Sequence, residues 1–283
     1  MASAVLSRLG RVRVTLAYAA ALVAVAALMV HLSPHVQERV IRQASTNLHN
    51  LSQGRIGTLA GSAFVNETQY IYVWLPGLVA LLALGELLWH SRRLMVAFVV
   101  GHVGATLLVA AGIAGALTAG LVSASIADAA DVGMSYGAVA VLGTFTAAIS
   151  GRWRAAWAGG WLAVAFGSAA LSGWDFTNVG HAIALVLGMA ISTRFGTPAQ
   201  WTLPRYGLLA VAAGFGYLMI AYGEVSPRGS MAMGLLGAVV ALAISALPRM
   251  RRPQTNSSAL ASIQSDSHAS GGHSSSSPGI SHS

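Results

Sequence analysis

Eight apolar runs divide this chain and leave it few ways to fold. They cover about 14–30, 70–89, 94–119, 132–150, 156–172, 178–193, 205–222 and 230–247. A helix rises about 1.5 Å per residue, so runs near 20 residues match the roughly 30 Å of hydrocarbon in a bilayer. Only 8% of the 283 residues are charged, against about 25% in soluble domains, and the mean hydropathy is +0.66. In hydrocarbon a helix satisfies its own backbone, so the expectation is an all-α polytopic bundle with eight transmembrane helices.

Charge then gives a direction. Lysine is absent, and 12 of the 16 arginines precede the first run or follow an even-numbered one. They form the groups Arg8, Arg11 and Arg13, then Arg92 and Arg93, Arg152 and Arg154, Arg194 and Arg205, and Arg249, Arg251 and Arg252. Glu38, Glu67, Asp128, Asp131, Asp175 and Glu224 fall on the other side. The positive-inside rule makes the arginine side cytoplasmic, with both termini inside and the protein in the plasma membrane. The basic balance therefore reports topology, and no nucleic-acid partner is expected. Without cysteine the chain has no disulfide, thiolate metal site or cysteine nucleophile.

The first run has a basic start, like a secretory signal, but ends His31-Leu-Ser-Pro-His35 with no small-x-small cleavage site. A retained helix is the reading. Between the first two runs, Val36, Val40, Ile41, Leu48 and Leu51 recur at helical spacing, which suggests one amphipathic surface helix over Val36–Leu51 or else a solvated loop. Residues 1–250 form the membrane domain. Residues 251–283 are a Ser-, His- and Gly-rich tail that cannot bury enough surface to fold, and its His268, His273 and His282 read as polar filler.

Two runs open alike. Asp131-Val-Gly133-Met134-Ser135 begins the fourth, and Asp175-Phe-Thr-Asn-Val-Gly180-His181 begins the sixth. Both spans run in the same direction, which places Ser135 and His181 on the order of 5–10 Å below the outer interface. Gly133 and Gly137, with Gly180, Ala184 and Gly188, have the spacing that lets membrane helices approach closely. A hydroxyl within about 2.6–3.2 Å of an imidazole makes a nucleophile and its base. Serine is also common as a packing residue, whereas a histidine inside a span is costly and points to function. His102 in the third span falls about 10 Å deeper than Ser135 by residue count; it reads as a hydrogen bond across the bundle, with a proton relay or transport site as the alternative. Glu86 reads as a cap or as an ion pair with Arg92 or Arg93.

Over about residues 54–194 the chain resembles the rhomboid intramembrane serine proteases, and especially the divergent rhomboid-like proteins of actinobacteria. The resemblance rests on Gly133-Met134-Ser135, then Ala140 and Gly143, then His181 with Gly188, together with Glu86 and Ser91-Arg92-Arg93 and the segment Leu59–Asn66. It implies a six-helix core with two added helices and a Ser135/His181 dyad. It also implies oxyanion stabilisation by the backbone of Gly133 and Met134, no cofactor, and membrane-protein substrates cut near the outer leaflet. The chain departs from the pattern in four places. Gln69-Tyr70-Ile-Tyr72-Val-Trp74 lacks the family's His/Asn pair, for which backbone amides near Ser135, and Gln69 or Tyr70, could supply substitute donors. Tyr136 follows the serine where a small residue is usual, Val139 replaces a tyrosine, and Gly57-Thr58 replaces a Trp-Arg pair. The alternative function is a non-catalytic rhomboid-like protein that binds transmembrane helices of clients.

Overall fold

The computed structural model describes residues 9–66, 71–221 and 227–247, and the side chains of all of these but Ile71 and Pro227. By contacts the chain divides into Met1–Ser245 and Ala246–Ser283. The tail, Glu67, Gln69, Tyr70 and Glu224 lie outside the described residues.

Every regular element among the described residues is helical. We number the α-helices α1 (Arg13–Val30), α2 (Pro34–Ala44), α3 (Leu48–Ser52), α4 (Thr58–Gly61), α5 (Ile71–Thr118), α6 (Ser135–Ala148), α7 (Gly151–Leu171), α8 (Phe176–Ser192), α9 (Leu203–Ala221) and α10 (Pro227–Ala246). Helix α5 is a hairpin of two limbs, because His90 holds φ 66° and ψ 161° and reverses the chain. The limbs pack back to back, with Gly85 of one close to Leu94 of the other. Counting the limbs separately gives the eight expected rods. α1, α5, α9 and α10 are long and apolar enough to cross a membrane, whereas α6 and α8 are apolar but shorter.

The expected surface helix is instead two, α2 and α3. The break follows from Ser45-Thr46-Asn47. Asn47 accepts the Asn50 N–H at 2.9 Å and so starts α3, while the Asn50 amide closes α2 by donating to the Arg42 and Ser45 carbonyls at 2.8 Å each. Asparagine satisfies orphan backbone groups at helix ends better than it propagates a helix.

Helix α6 is the axis of the bundle, and Gly137, Ala138, Val139, Ala140, Val141, Leu142 and Phe145 on it are all buried. It packs against both limbs of α5 and against α8. A Cβ on Gly143 would overlap the Leu185 carbonyl, and one on Gly188 would overlap the Ala140 carbonyl. The α6 and α8 backbones therefore touch. The glycine contact lies lower than the spacing suggested: Gly137 faces the Phe98 ring of α5, and Gly180 faces the Tyr136 ring.

The arginine end is closed by backbone capping. Glu86 is buried and accepts from the Val14 and Thr15 amides at 3.1 and 2.9 Å, the Thr15 hydroxyl at 2.8 Å and the Ser91 hydroxyl at 2.6 Å. It caps the N-terminus of α1, where a carboxylate meets both orphan amides and the positive end of the helix dipole. Arg205 reaches the Leu87 carbonyl at 3.2 Å, and the Trp201 indole donates to Ala148 O at 3.0 Å. These contacts bring the ends of α5, α6 and α9 together.

Glu86→Ala is expected to lower folding stability by about 2–3 kcal/mol, because it strips a buried charged acceptor from several donors; thermal unfolding in detergent measures it. Gly188→Val is expected to prevent folding outright in the same assay. Gly112→Ala, where the added Cβ meets nothing within 4 Å, is expected to be neutral or stabilising.

Candidate functional site

Helix α6 has 14 residues and so is about 21 Å long, well short of a bilayer's hydrocarbon core. Its first residue, Ser135, opens it at the end away from the arginines. The entry is fixed from several directions. Asp131 N–H donates to Ser45 Oγ at 2.8 Å, and Thr46 N–H donates to Asp131 O at 3.0 Å. Gly133 then takes φ 121°, a conformation side chains rarely adopt, and its N–H donates to Ser62 O at 2.8 Å. The next residues turn into α6, leaving Ser135 half-buried. The first-turn amides of α6 have no intrahelical acceptor.

The residues around Ser62 form a second polar cluster. The Thr46 hydroxyl lies 2.8 Å from both Thr58 O and Ser62 Oγ, and Ser62 Oγ lies 3.0 Å from His102 Nε2. All three side chains are buried. The expectation that His102 lies deeper than Ser135 is therefore corrected: Ser62 bonds both His102 and Gly133, and Gly101 packs against Tyr136 and Ala140 of α6. Counting residues from the run's end failed because the second limb of α5 continues 16 residues past His102, well beyond the start of α6. His102 does make a hydrogen bond, but to Ser62 in the segment before α5 and not across the bundle to another spanning helix.

His181 sits on α8, one and a half turns after its N-cap Asp175, which accepts the Thr177 N–H at 3.0 Å. It is 5% exposed, and neither ring nitrogen has a hydrogen-bond partner. Its neighbour is Tyr136, whose ring meets the imidazole edge-on at 5.5 Å and 83°. The Tyr136 hydroxyl reaches Phe176 O only at 3.5 Å. The fold thus packs the helices of Ser135 and His181 together, but no hydrogen bond joins the two side chains. Tyr136 holds the helices apart at this level by occupying the face of Gly180.

Two further residues change the picture of the oxyanion donors. The Gly133 amide, expected among them, is already committed to Ser62 O. Met134 is the N-cap of α6, so its amide and those of the helix's first turn are the backbone donors without an intrahelical acceptor. Asn66 is the residue that sequence reasoning missed as a donor. Its Nδ2 lies 3.4 Å from Met134 Sδ, a weak acceptor, and its Oδ1 borders Gly133. The sequence held a signal, an asparagine closing the segment that precedes the second span.

A short central helix, opening on a serine below the level of its neighbours and joined by glycine to a histidine-bearing helix, defines a class: polytopic membrane proteins with a polar site inside the bundle. The chain belongs to the rhomboid-like protein family, whose family profile matches residues 10–196. That match takes in α1 as well as the region from the Leu59–Asn66 segment to α8. No curated protein and no solved structure matches the chain.

Tyr136→Phe is expected to cost under about 1 kcal/mol, since its hydroxyl bond is long. Tyr136→Ala, which empties the space between Gly180 and His181, is expected to cost about 3 kcal/mol or more by thermal unfolding in detergent.

Proposed function

We propose that this chain is a serine-type intramembrane endopeptidase, with Ser135 as nucleophile and His181 as base. The observation that carries the reading is the state of His181: a buried imidazole, in the helix packed on that of Ser135, with both nitrogens unpartnered. An unpaired buried polar group costs about 1–3 kcal/mol, and a histidine inside a span is functional by default.

The chemistry follows from the residues present. His181 takes the Ser135 proton as Oγ attacks a peptide carbonyl in a client's transmembrane or juxtamembrane segment. The first-turn amides of α6 and Asn66 Nδ2 hold the resulting oxyanion. Collapse expels the amine, which leaves with the proton from His181, and water then hydrolyses the acyl ester by the reverse use of the same base. The Tyr136 ring must move off the imidazole for the dyad to close, so closure accompanies substrate entry. The arginine end faces the cytoplasm by the positive-inside rule, which puts the scissile bond near the outer leaflet of the plasma membrane.

A second reading has its own observation. Tyr136 already fills the gap beside His181, and Ser135 makes no bond to it. In a non-catalytic member, that wedge is permanent and the protein holds client transmembrane helices without cutting them.

A fluorophosphonate probe separates the two. Covalent labelling of the purified protein, lost in both Ser135→Ala and His181→Ala, is the result expected of the peptidase. Asn66→Ala should then slow labelling by about 10²–10³. A folded wild type that takes up no label overturns the peptidase in favour of the client-binding protein.

A further inference from the structure

The arginine end carries a cleft that the Ser135 site does not use. Two cavities adjoin along α7 and share Ala156 and Trp157 in their walls. The upper one, about 560 Å³, lies between the start of α7 and α9 and is bordered by Ser150, Arg152, Trp153, Trp201 and Tyr206. The lower one, about 310 Å³, continues along α7 as far as Val164 and is walled by α9 and α10 through Ala213, Tyr217, Met231 and Leu235. From Ala156 to Val164 is eight residues, so the lower part runs about 12 Å into the bundle.

Chemistry changes sharply along this cleft. Its mouth has a cation and amphipathic rings; its depth is mainly apolar, with Trp161 and Tyr217 in the wall. Arg152 is exposed and lies over the Trp153 ring at 5.6 Å, and among the described residues no carboxylate pairs with it. Arg154 and Arg205, by contrast, are engaged with backbone carbonyls. Trp201 stacks on Tyr206 at 4.9 Å. Tryptophan and tyrosine of this kind mark the level of lipid headgroups. The one described carboxylate at this end, Glu86, is buried in the cap of α1.

We propose that this cleft binds one anionic glycerophospholipid, with the headgroup phosphate at Arg152 and an acyl chain along α7 between α9 and α10. An unpaired arginine beside a roomy interfacial pocket matches a phosphate, and basic pockets between membrane helices are where anionic headgroups dock. The apolar continuation fits a hydrocarbon chain and offers nothing to a soluble anion.

Full-length protein in detergent, titrated with phosphatidylglycerol or phosphatidylcholine and followed by native mass spectrometry, tests this. One phosphatidylglycerol should be retained in preference, and R152Q should weaken retention about fivefold, the value of one arginine near an anionic surface. Equal retention of both lipids, or an R152Q preference equal to the wild type's, overturns the proposal. Should R152Q fail to fold, a photoactivatable phosphatidylglycerol on the wild type decides: crosslinks within 152–164, 201–217 or 231–235 support the site, and crosslinks confined to other segments overturn it.

Discussion

The contact between the backbones of α6 and α8 is the interaction on which the rest of this structure depends. Lipid tails are as apolar as leucine, so the hydrophobic effect does little to hold one membrane helix to another. Close packing must do it. Gly143 against Leu185 O and Gly188 against Ala140 O bring two main chains into contact, where no Cβ fits. Both limbs of α5 then close around α6, and its buried stripe from Gly137 to Phe145 becomes the centre of the bundle. A short α6 with a fixed lower contact has one consequence for the site: its start, with Ser135, lies short of the far end of the second limb of α5.

Polar groups in such a bundle are confined to its two ends, and each end solves its hydrogen bonding differently. At the arginine end a carboxylate, Glu86, serves the orphan amides of α1. At the other end neutral groups serve one another, from Thr46 through Ser62 to His102, while Ser62 O holds Gly133. The second arrangement fixes the entry of α6 with neutral side chains, while the Asp131 and Asp175 carboxylates lie close enough to act on Tyr136, the residue after Ser135. The first-turn amides of the helix favour a developing anion at the serine, and they do so beside these two carboxylates.

Hydropathy and arginine spacing made the rods and their order legible, because hydrocarbon thickness and charge placement act on local sequence. The resemblance to rhomboids pointed to Ser135 and His181 through its Gly-x-Ser and His-x₆-Gly patterns, and glycine spacing pointed to the close approach of their helices. What the sequence hid was depth and rotation. His102 was placed too deep because its limb of α5 overshoots α6, and nothing in a residue count shows where a neighbouring helix begins. Asn66 and Ser62 escaped notice because their role comes from a loop folding back on Gly133. The split of α2 from α3 was readable in Ser45-Thr46-Asn47, a cluster that caps helices rather than extending them.

The two buried histidines among the described residues show why burial alone assigns no role. His102 and His181 are equally hidden, each 5% exposed, and lie on helices that both pack on α6. His102 spends one nitrogen on Ser62 and thereby ties the loop before α5 to the bundle; its place is accounted for by structure. His181 makes no such bond on either nitrogen and meets the Tyr136 ring edge-on. A packing residue at that position would be cheaper as leucine, which buries no unsatisfied atom and suits hydrocarbon better. The cost of the imidazole therefore has to be offset by something outside the resting bundle. In the peptidase reading that is the Ser135 hydroxyl, reached when Tyr136 gives way; in the client-binding reading it is a polar group brought in by the client helix. Either way, His181 is where an incoming chain meets the one buried imidazole, among the described residues, that the fold leaves without a hydrogen bond.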